Sequence, residues 1–195
     1  MRVVAGIAKG RLLVAPKGMA IRPTTDKVKE AIFSMLSAEG LRRAAEDLDD
    51  EIFPYARVLD LYAGSGALGI EALSRGSEHV DFVESNARAR AAIQENLRRT
   101  GFGQKASIHA IRTEVAISTF RDAYDLILLD PPYEDASVPQ VLESIGHAAI
   151  LEPEGIVVVE HARSRDLAAR AGRLQHTRSR HYGTTAVSLY RYEDD

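Results

Sequence analysis

The chain has 195 residues, of which 45% are hydrophobic and none is cysteine. This length suits one globular domain with a sizeable core and a small appendage, and the lack of cysteine excludes disulfides, thiolate metal sites and a cysteine nucleophile. The sequence has no apolar run of about eighteen residues and no signal-peptide pattern at its start, so we expect a cytoplasmic protein with no membrane partner.

The net charge of −3 conceals a strong segregation of charge along the chain. Residues 1–29 carry seven Lys and Arg against one acid, residues 30–162 carry eleven basic and twenty-three acidic side chains, and residues 163–191 carry seven Arg against one acid. Two basic ends favour an anionic partner, because Lys and Arg attract phosphates. Basic residues that only solvate exposed termini produce the same pattern, so charge alone leaves both interpretations open.

The N-terminal region has the pattern of a small extension followed by a helix. Residues 2–22 form short apolar pieces separated by glycine and proline, which predicts a hairpin extension over residues 1–23 and a main domain over residues 24–195. Thr24 or Thr25 can cap a helix whose apolar positions recur at helical spacing, namely Val28, Ile32, Phe33 and Leu36.

From Arg57 onward, apolar strands alternate with helical segments. The strands read RVLDLY, HVDFVE, ASIHAI, YDLILLD and GIVVVEH, and helices are expected to begin near Ala67, Asn86, Thr113, Ser137 and Arg163. Nearly continuous apolar strands are typical of a parallel sheet that helices cover on both faces. The end of the chain predicts an antiparallel hairpin that turns at Gly183 and Thr184. Its two strands read LQHTRSRHYG and TAVSLYRYE. The sequence therefore predicts an α/β fold.

The first of these strands runs into a glycine-rich loop within residues 58–76, VLDLYAGSGALGIEALSRG. Gly64, Gly66 and Gly69 form the G-x-G-x-x-G pattern of a nucleotide-binding βαβ unit. Asp60 would repel the pyrophosphate of NAD but would attract a sulfonium cation. Glu84, at the end of the second strand, can accept both hydroxyls of a ribose. The loop therefore favours S-adenosylmethionine over NAD.

The fourth strand ends in Asp130-Pro131-Pro132-Tyr133, at the edge where open α/β sheets build their sites. A carboxylate beside a rigid proline carbonyl can accept both hydrogens of an –NH₂ group, and a tyrosine ring can stack on a planar base. The exocyclic amine of a nucleobase is a poor nucleophile because its lone pair is delocalised into the ring. Asp130 and Pro131 would aim that lone pair at a methyl donor, which predicts methyl transfer to an amino group.

These motifs together resemble those of class I S-adenosylmethionine-dependent methyltransferases that act on amino groups. Three further segments narrow the resemblance to the bacterial 16S ribosomal RNA guanine-N2 methyltransferases. They are RPTTDKVKE at residues 22–30, VAGIAKGRLL near the N-terminus and RHYGTT near the C-terminus. It extends over about residues 2–192. The resemblance implies a Rossmann-like, seven-stranded and mostly parallel sheet with helices on both faces, a C-terminal antiparallel hairpin, and an N-terminal hairpin extension that binds RNA.

The resemblance also implies roles for particular residues. Cofactor contacts would come from Asp60, Leu61, Tyr62, Ala63, Gly64, Ser65, Gly66, Glu84 and Asp130. Catalysis would rest on Asp130, Pro131 and Tyr133, and contacts to RNA on Lys9, Arg11, Arg22, Thr24 and Asp26. The third strand ends without the acid that the resemblance leads us to expect beside the adenine, and Glu114 is the candidate for that contact.

The implied reaction is methyl transfer to the N2 amine of one guanine in 16S RNA, within the 30S subunit or a late assembly intermediate, by a monomer. The six histidines have no ligand spacing, so no metal is expected. Other amino acceptors remain open, such as adenine N6 in DNA or a side-chain amide of a translation factor. So do an NAD-dependent dehydrogenase and a non-catalytic RNA-binding protein, whereas a carbon-5 pyrimidine methyltransferase is disfavoured because it needs a cysteine.

Overall fold

The computed structural model describes residues 1–16, 18, 25–43 and 53–193 of the chain. In this part, the helices are α1 (Asp26–Arg43), α2 (Ala67–Arg75), α3 (Ala87–Thr100), α4 (Thr113–Thr119) and α5 (Val138–His147), with a 3₁₀ turn at Gly103–Lys105. The strands are β1 (Arg57–Leu61), β2 (His79–Val83), β3 (Ala106–His109), β4 (Tyr124–Leu129), β5 (Leu151–Ala162), β6 (Arg170–Ala171), β7 (Leu174–Tyr182) and β8 (Thr185–Tyr192). None of the described helices is long and apolar enough to cross a membrane.

The named strands form a single sheet in the order β3-β2-β1-β4-β5-β8-β7-β6. Strands β1 to β5 pair in parallel, whereas β8 runs antiparallel to both β5 and β7. This topology confirms the predicted mostly parallel sheet with an antiparallel C-terminal hairpin. The two-residue strand β6 adds an eighth strand to the seven that we expected. The chain order reverses between β1 and β4, which is where open α/β sheets bind ligands.

Apolar side chains form one core layer on each face of the sheet. Along β4, Leu126 and Leu128 belong to the layer under α1, α2 and α3, while Ile127 and Leu129 belong to the layer under α4 and α5. Successive strand residues point to opposite faces, so a strand covered on both sides must be apolar throughout. The continuous runs in the sequence have this cause, and the predicted helices on both faces are confirmed.

The helix ends follow the capping residues in the sequence. The Oγ1 atom of Thr25 accepts a hydrogen bond from the backbone N–H of Val28 at 3.2 Å, which makes Thr25 the cap of α1. Thr24, the other candidate, lies outside the described residues. Asn86 caps α3 in the same manner, and Gly101 ends this helix in the left-handed conformation at φ 82°.

The helix that we expected near Arg163 is absent, and that prediction was wrong. Residues 163–169 form a turn followed by an irregular segment instead. The N–H of Arg165 donates to the carbonyl of Ala162 at 2.9 Å, and the N–H of Arg163 donates to that of Thr184 at 2.9 Å. A crossover helix is required only between parallel strands. Since β5 is followed by antiparallel strands, a short turn segment suffices here.

The N-terminal segment, residues 1–16, contains a small antiparallel ladder and lies against α2 and α3. Arg2 and Leu12 form an antiparallel bridge. The buried carboxylate of Glu71 in α2 accepts the N–H groups of Val4 and Ala5 at 2.7 and 2.9 Å. Polar side chains of the main domain therefore hold the backbone of this segment in place.

Candidate active site

A cavity of about 890 Å³ opens at the carboxyl ends of β1, β2, β4 and β5. Its volume lies within the range of about 300 to 1,000 Å³ that small-molecule sites occupy. The residues that line it include the glycine-rich loop after β1, the acid that follows β2, the first turn of α4 and the Asp-Pro-Pro-Tyr segment after β4. The fold thus brings the two motifs singled out in the sequence to one cavity.

The glycine-rich loop has the backbone conformation that only glycine adopts without strain. Gly64 and Gly66 lie in the left-handed region at φ 55° and 77°. The N–H of Gly64 donates to one oxygen of Glu84 at 2.9 Å, while the other oxygen accepts the N–H of Asn86 at 2.7 Å. Glu84 therefore fixes the loop against the end of β2. Tyr62 is strained in the same loop, at φ 60°, as residues near ligands often are.

Asp60 is a buried carboxylate on the floor of the cavity, with 1% of its surface exposed. It accepts the N–H of Gly69 in α2 at 3.0 Å. Burial, together with the neighbouring charges of Asp130 and Glu84, raises the pKa of Asp60 to about 8. A cationic ligand in the cavity would favour the ionised form of Asp60 and would be attracted by its charge together with those of Asp130 and Glu84.

The Asp-Pro-Pro-Tyr segment, which follows the adjacent strand β4, forms another part of the cavity wall. Its shape is held by Arg165, whose guanidinium donates to the carbonyls of Tyr133 and Asp135 at 2.8 and 2.6 Å. The hydroxyl of Tyr133 lies 2.5 Å from the Oγ1 atom of Thr185 in β8. The ring of Tyr133 is therefore anchored from the antiparallel hairpin, and it lines the cavity beside Asp130.

Sequence reasoning missed two residues of this wall. Glu160, near the end of β5, is only 4% exposed, yet it lines the cavity and accepts a hydrogen bond from the Tyr133 hydroxyl at 3.3 Å. It is an acid at the carboxyl end of a buried strand, which is the signal that drew attention to Glu84. Arg165 gave no comparable signal, since it lies in the segment that we took for a helix.

The structure places most of the predicted cofactor residues at the cavity. Those that line it are Asp60, Tyr62, Ala63, Gly64, Ser65, Glu84 and Asp130, together with Pro131 and Tyr133 of the predicted catalytic group. Leu61 is buried in the core layer under α4 and α5, and Gly66 packs against Phe82 and Ile93 instead of lining the cavity. Glu114, the candidate for the adenine contact, lines the cavity in the first turn of α4.

The predicted RNA residues lie in different places. Lys9 and Arg11 are exposed on the N-terminal segment. Asp26 pairs with Arg2 at 3.3 Å and lies 3.5 Å from the ammonium of Lys29. Arg22 and Thr24 lie outside the described residues. A smaller cavity of about 200 Å³ adjoins the start of α1, and Glu160 lines both cavities.

Comparison with known proteins gives the chain close relatives over its whole length. "Putative rRNA methyltransferase YlbH" of Bacillus subtilis is 39% identical over 194 residues, which cover 98% of each chain. "Ribosomal RNA small subunit methyltransferase D" of Escherichia coli is 25% identical over 193 residues, covering 99% of this chain and 90% of the relative. The solved structure of "Putative methyltransferase yhhF" from Escherichia coli covers 99% of this chain and 98% of its own, with 26% identity and a TM-score of 0.79.

These likenesses agree with the resemblance found in the motifs. The fold is the Rossmann-like fold of class I methyltransferases. The model of one protein family, described as "Conserved hypothetical protein 95", matches residues 1–191. The chain therefore belongs to this family, among relatives that carry the name of ribosomal RNA methyltransferases.

Proposed function

We propose that this protein transfers the methyl group of S-adenosylmethionine to the N2 amine of a guanine in small-subunit ribosomal RNA. One observation carries the proposal: Asp130, Pro131 and Tyr133 share a cavity with Asp60 and Glu84. An acceptor site for an amino group thus adjoins a site suited to a cationic nucleotide. The names of the relatives support ribosomal RNA as the substrate class.

The residues on one side of the cavity fit S-adenosylmethionine. Glu84 would accept the ribose hydroxyls, Asp60 would favour the positive charge, and the left-handed glycines let the backbone approach the ligand. Glu114 and Ile111 line the part of the cavity next to α4 and would contact the adenine. When bound, this cofactor supplies a methyl group made electrophilic by its attachment to a sulfonium sulfur.

The residues on the other side fit a planar base with an amino group. The carboxylate of Asp130 and the carbonyl of Pro131 would accept the two N2 hydrogens, which favours a pyramidal nitrogen with its lone pair directed at the methyl donor. The ring of Tyr133 would stack on the base. A paired guanine cannot reach this cavity, so the base must be unstacked from the RNA. As the new carbon–nitrogen bond forms and the methyl–sulfur bond breaks, one proton would leave the nitrogen through the carboxylate of Asp130 to solvent.

We assign RNA binding to the N-terminal extension, residues 1–23, and catalysis to residues 24–195. Lys9 and Arg11 are exposed and can bind phosphates, and Glu71, Ser74 and Asn96 hold the backbone from which they project. A monomer of this protein would bind ribosomal RNA in the cytoplasm, either in the 30S subunit or in a late assembly intermediate.

The test is label transfer from S-adenosylmethionine to 30S particles from cells that lack the modification. We expect Asp130→Asn to retain cofactor affinity in calorimetry but to lose about a hundredfold or more in turnover. Glu152→Gln removes the same charge from an exposed residue that does not line the cavity and serves as the control. Wild-type turnover by Asp130→Asn would refute the role of Asp130, and cofactor binding by the wild type without any transfer to particles or naked RNA would refute the substrate.

A further inference from the structure

Glu160 stands next to the proposed amino-acceptor site. The pairing of β4 with β5 ends at Leu129 and Val159, so Asp130 and Glu160 follow at equivalent positions of two adjacent parallel strands. Such strands lie about 4.8 Å apart. Both acids line the same cavity, and the Tyr133 hydroxyl donates to an oxygen of Glu160 at 3.3 Å. The cavity wall therefore presents two neighbouring carboxylates to whatever enters it.

Glu160 places a second carboxylate beside Asp130, and its burial makes it costly. Glu160 is 4% exposed, and a buried carboxylate loses hydration that polar partners must replace. A carboxylate offers about four acceptor positions, so Glu160 can accept a donor from a bound base in addition to the partners that hold it, among them the Tyr133 hydroxyl. Glu160 is thus suited to receive an N–H group beside the amine that Asp130 receives.

Among the four RNA bases, guanine alone has a ring N–H directly beside its amino group. Its N1–H adjoins the N2 amine, whereas the amines of adenine and cytosine adjoin ring nitrogens that carry a lone pair. Two adjacent carboxylates match two adjacent donors. A lone pair facing Glu160 would be repelled.

We propose that Glu160 is the residue that selects guanine, by accepting the N1–H of the base while Asp130 and Pro131 accept the two hydrogens of N2. The inference rests on the proposed function and deepens it. Glu160 discriminates against adenine and cytosine by repulsion as well as by the bond it forms with guanine. Because Tyr133 and Thr185 hold this carboxylate in place, the selection is built into the junction of β5 with the antiparallel hairpin.

The test replaces the base and the acid in turn. 2-Aminopurine keeps the N2 amine of guanine but has a lone pair at N1 and no oxygen at C6. We would prepare 16S RNA with either base at the position mapped by the transfer assay, reconstitute 30S particles, and measure kcat/KM for each. The ratio of the two values, compared between enzymes, cancels the intrinsic reactivity of the two amines.

We expect the wild type to prefer guanine over 2-aminopurine, and Glu160→Gln to reduce that ratio about tenfold to a hundredfold, the range for a hydrogen bond to a charged group. Glu152→Gln, which is exposed at the other end of β5, should keep the wild-type ratio. Cofactor affinity should be unchanged in both variants, which would show that each is folded.

Two results would overturn the inference: equal use of the two bases by the wild type, or a wild-type ratio in Glu160→Gln. The first needs no variant and so does not depend on the folding of one. Failure of the wild type to methylate the guanine particles would instead refute the proposed function.

Discussion

Replacing Gly6 with alanine should detach the N-terminal segment from α2, whereas the same change at Gly10 should not. Both glycines lie in the left-handed region, at φ 77° and 84°. A Cβ atom on Gly6 would lie 1.8 Å from the carbonyl oxygen of Ser74, which is backbone and cannot rotate away. A Cβ atom on Gly10 would meet nothing within 4 Å. Gly10 is therefore a matched control for the conformational cost alone.

The difference in cost follows from the contacts of the segment. Alanine in the left-handed conformation costs about 1 to 2 kcal/mol, which both variants lose. Gly6→Ala must also break the hydrogen bonds from the N–H groups of Ile7 and Ala8 to Ser74, at 2.8 and 3.0 Å, each worth about 0.5 to 1.5 kcal/mol net. We expect losses in the free energy of unfolding of about 2 to 5 kcal/mol for Gly6→Ala and about 1 to 2 kcal/mol for Gly10→Ala.

Urea denaturation followed by circular dichroism measures both values, and thermal unfolding provides a second estimate at about 2 to 4 °C per kcal/mol for a chain of this size. Cofactor affinity should be close to wild type in both variants, because neither glycine lines the cavity. Equal losses for the two variants would refute the close packing of the segment on α2.

Three further predictions concern buried or anchoring side chains. Because folding raises the pKa of Asp60 from 3.8 to about 8, the folded protein should lose stability as the pH rises through this window and the buried carboxyl ionises. Urea titrations should show the wild type losing stability relative to Asp60→Asn as the pH rises. A stability difference between the two proteins that does not depend on pH would contradict the shift. Arg165→Met removes the hydrogen bonds that hold the carbonyls of Tyr133 and Asp135 beside Asp130. It should lower kcat/KM for methyl transfer about tenfold to a hundredfold with little effect on cofactor affinity. An unchanged kcat/KM would argue against this positioning role. Asn96→Ala removes three hydrogen bonds to the backbone of the N-terminal segment and the glycine-rich loop. The free energy of unfolding, measured in urea, should therefore fall by about 2 to 4 kcal/mol. A loss below about 1 kcal/mol would contradict that anchoring.

Local patterns were sufficient to predict the sheet and the two motifs of the cavity. A strand that ends in a glycine turn, and another that ends in Asp130, each carry their signal within a few residues. The parallel topology then brings the carboxyl ends of these strands together, as the rule for open α/β sheets requires.

The contacts that hold the N-terminal segment could not be predicted in this way. Glu71 and Asn96 lie on helices, where a buried polar residue has the same sequence pattern as an exposed one. Their partners, Val4 and Val14, are 67 and 82 residues distant in the chain. Such contacts follow from the packing of whole elements and have no local signature.

The wrong helix near Arg163 has a similar cause. The segment contains residues that favour helices, but the next strands run antiparallel, and Arg165 donates instead to two carbonyls of the cavity wall. Tertiary contacts overrode local propensity here. Glu160 has the same signal as Glu84, an acid near the carboxyl end of an apolar strand, but it was passed over because no recognisable motif adjoins it.

Digestion of the labelled RNA to nucleosides, followed by mass spectrometry, identifies the atom that receives the methyl group. We expect the transferred methyl group in N2-methylguanosine, at one position of 16S RNA, and almost none of this product with Asp130→Asn. Label in N6-methyladenosine, or in protein, would refute methyl transfer to guanine and would leave the family a guide to the fold alone.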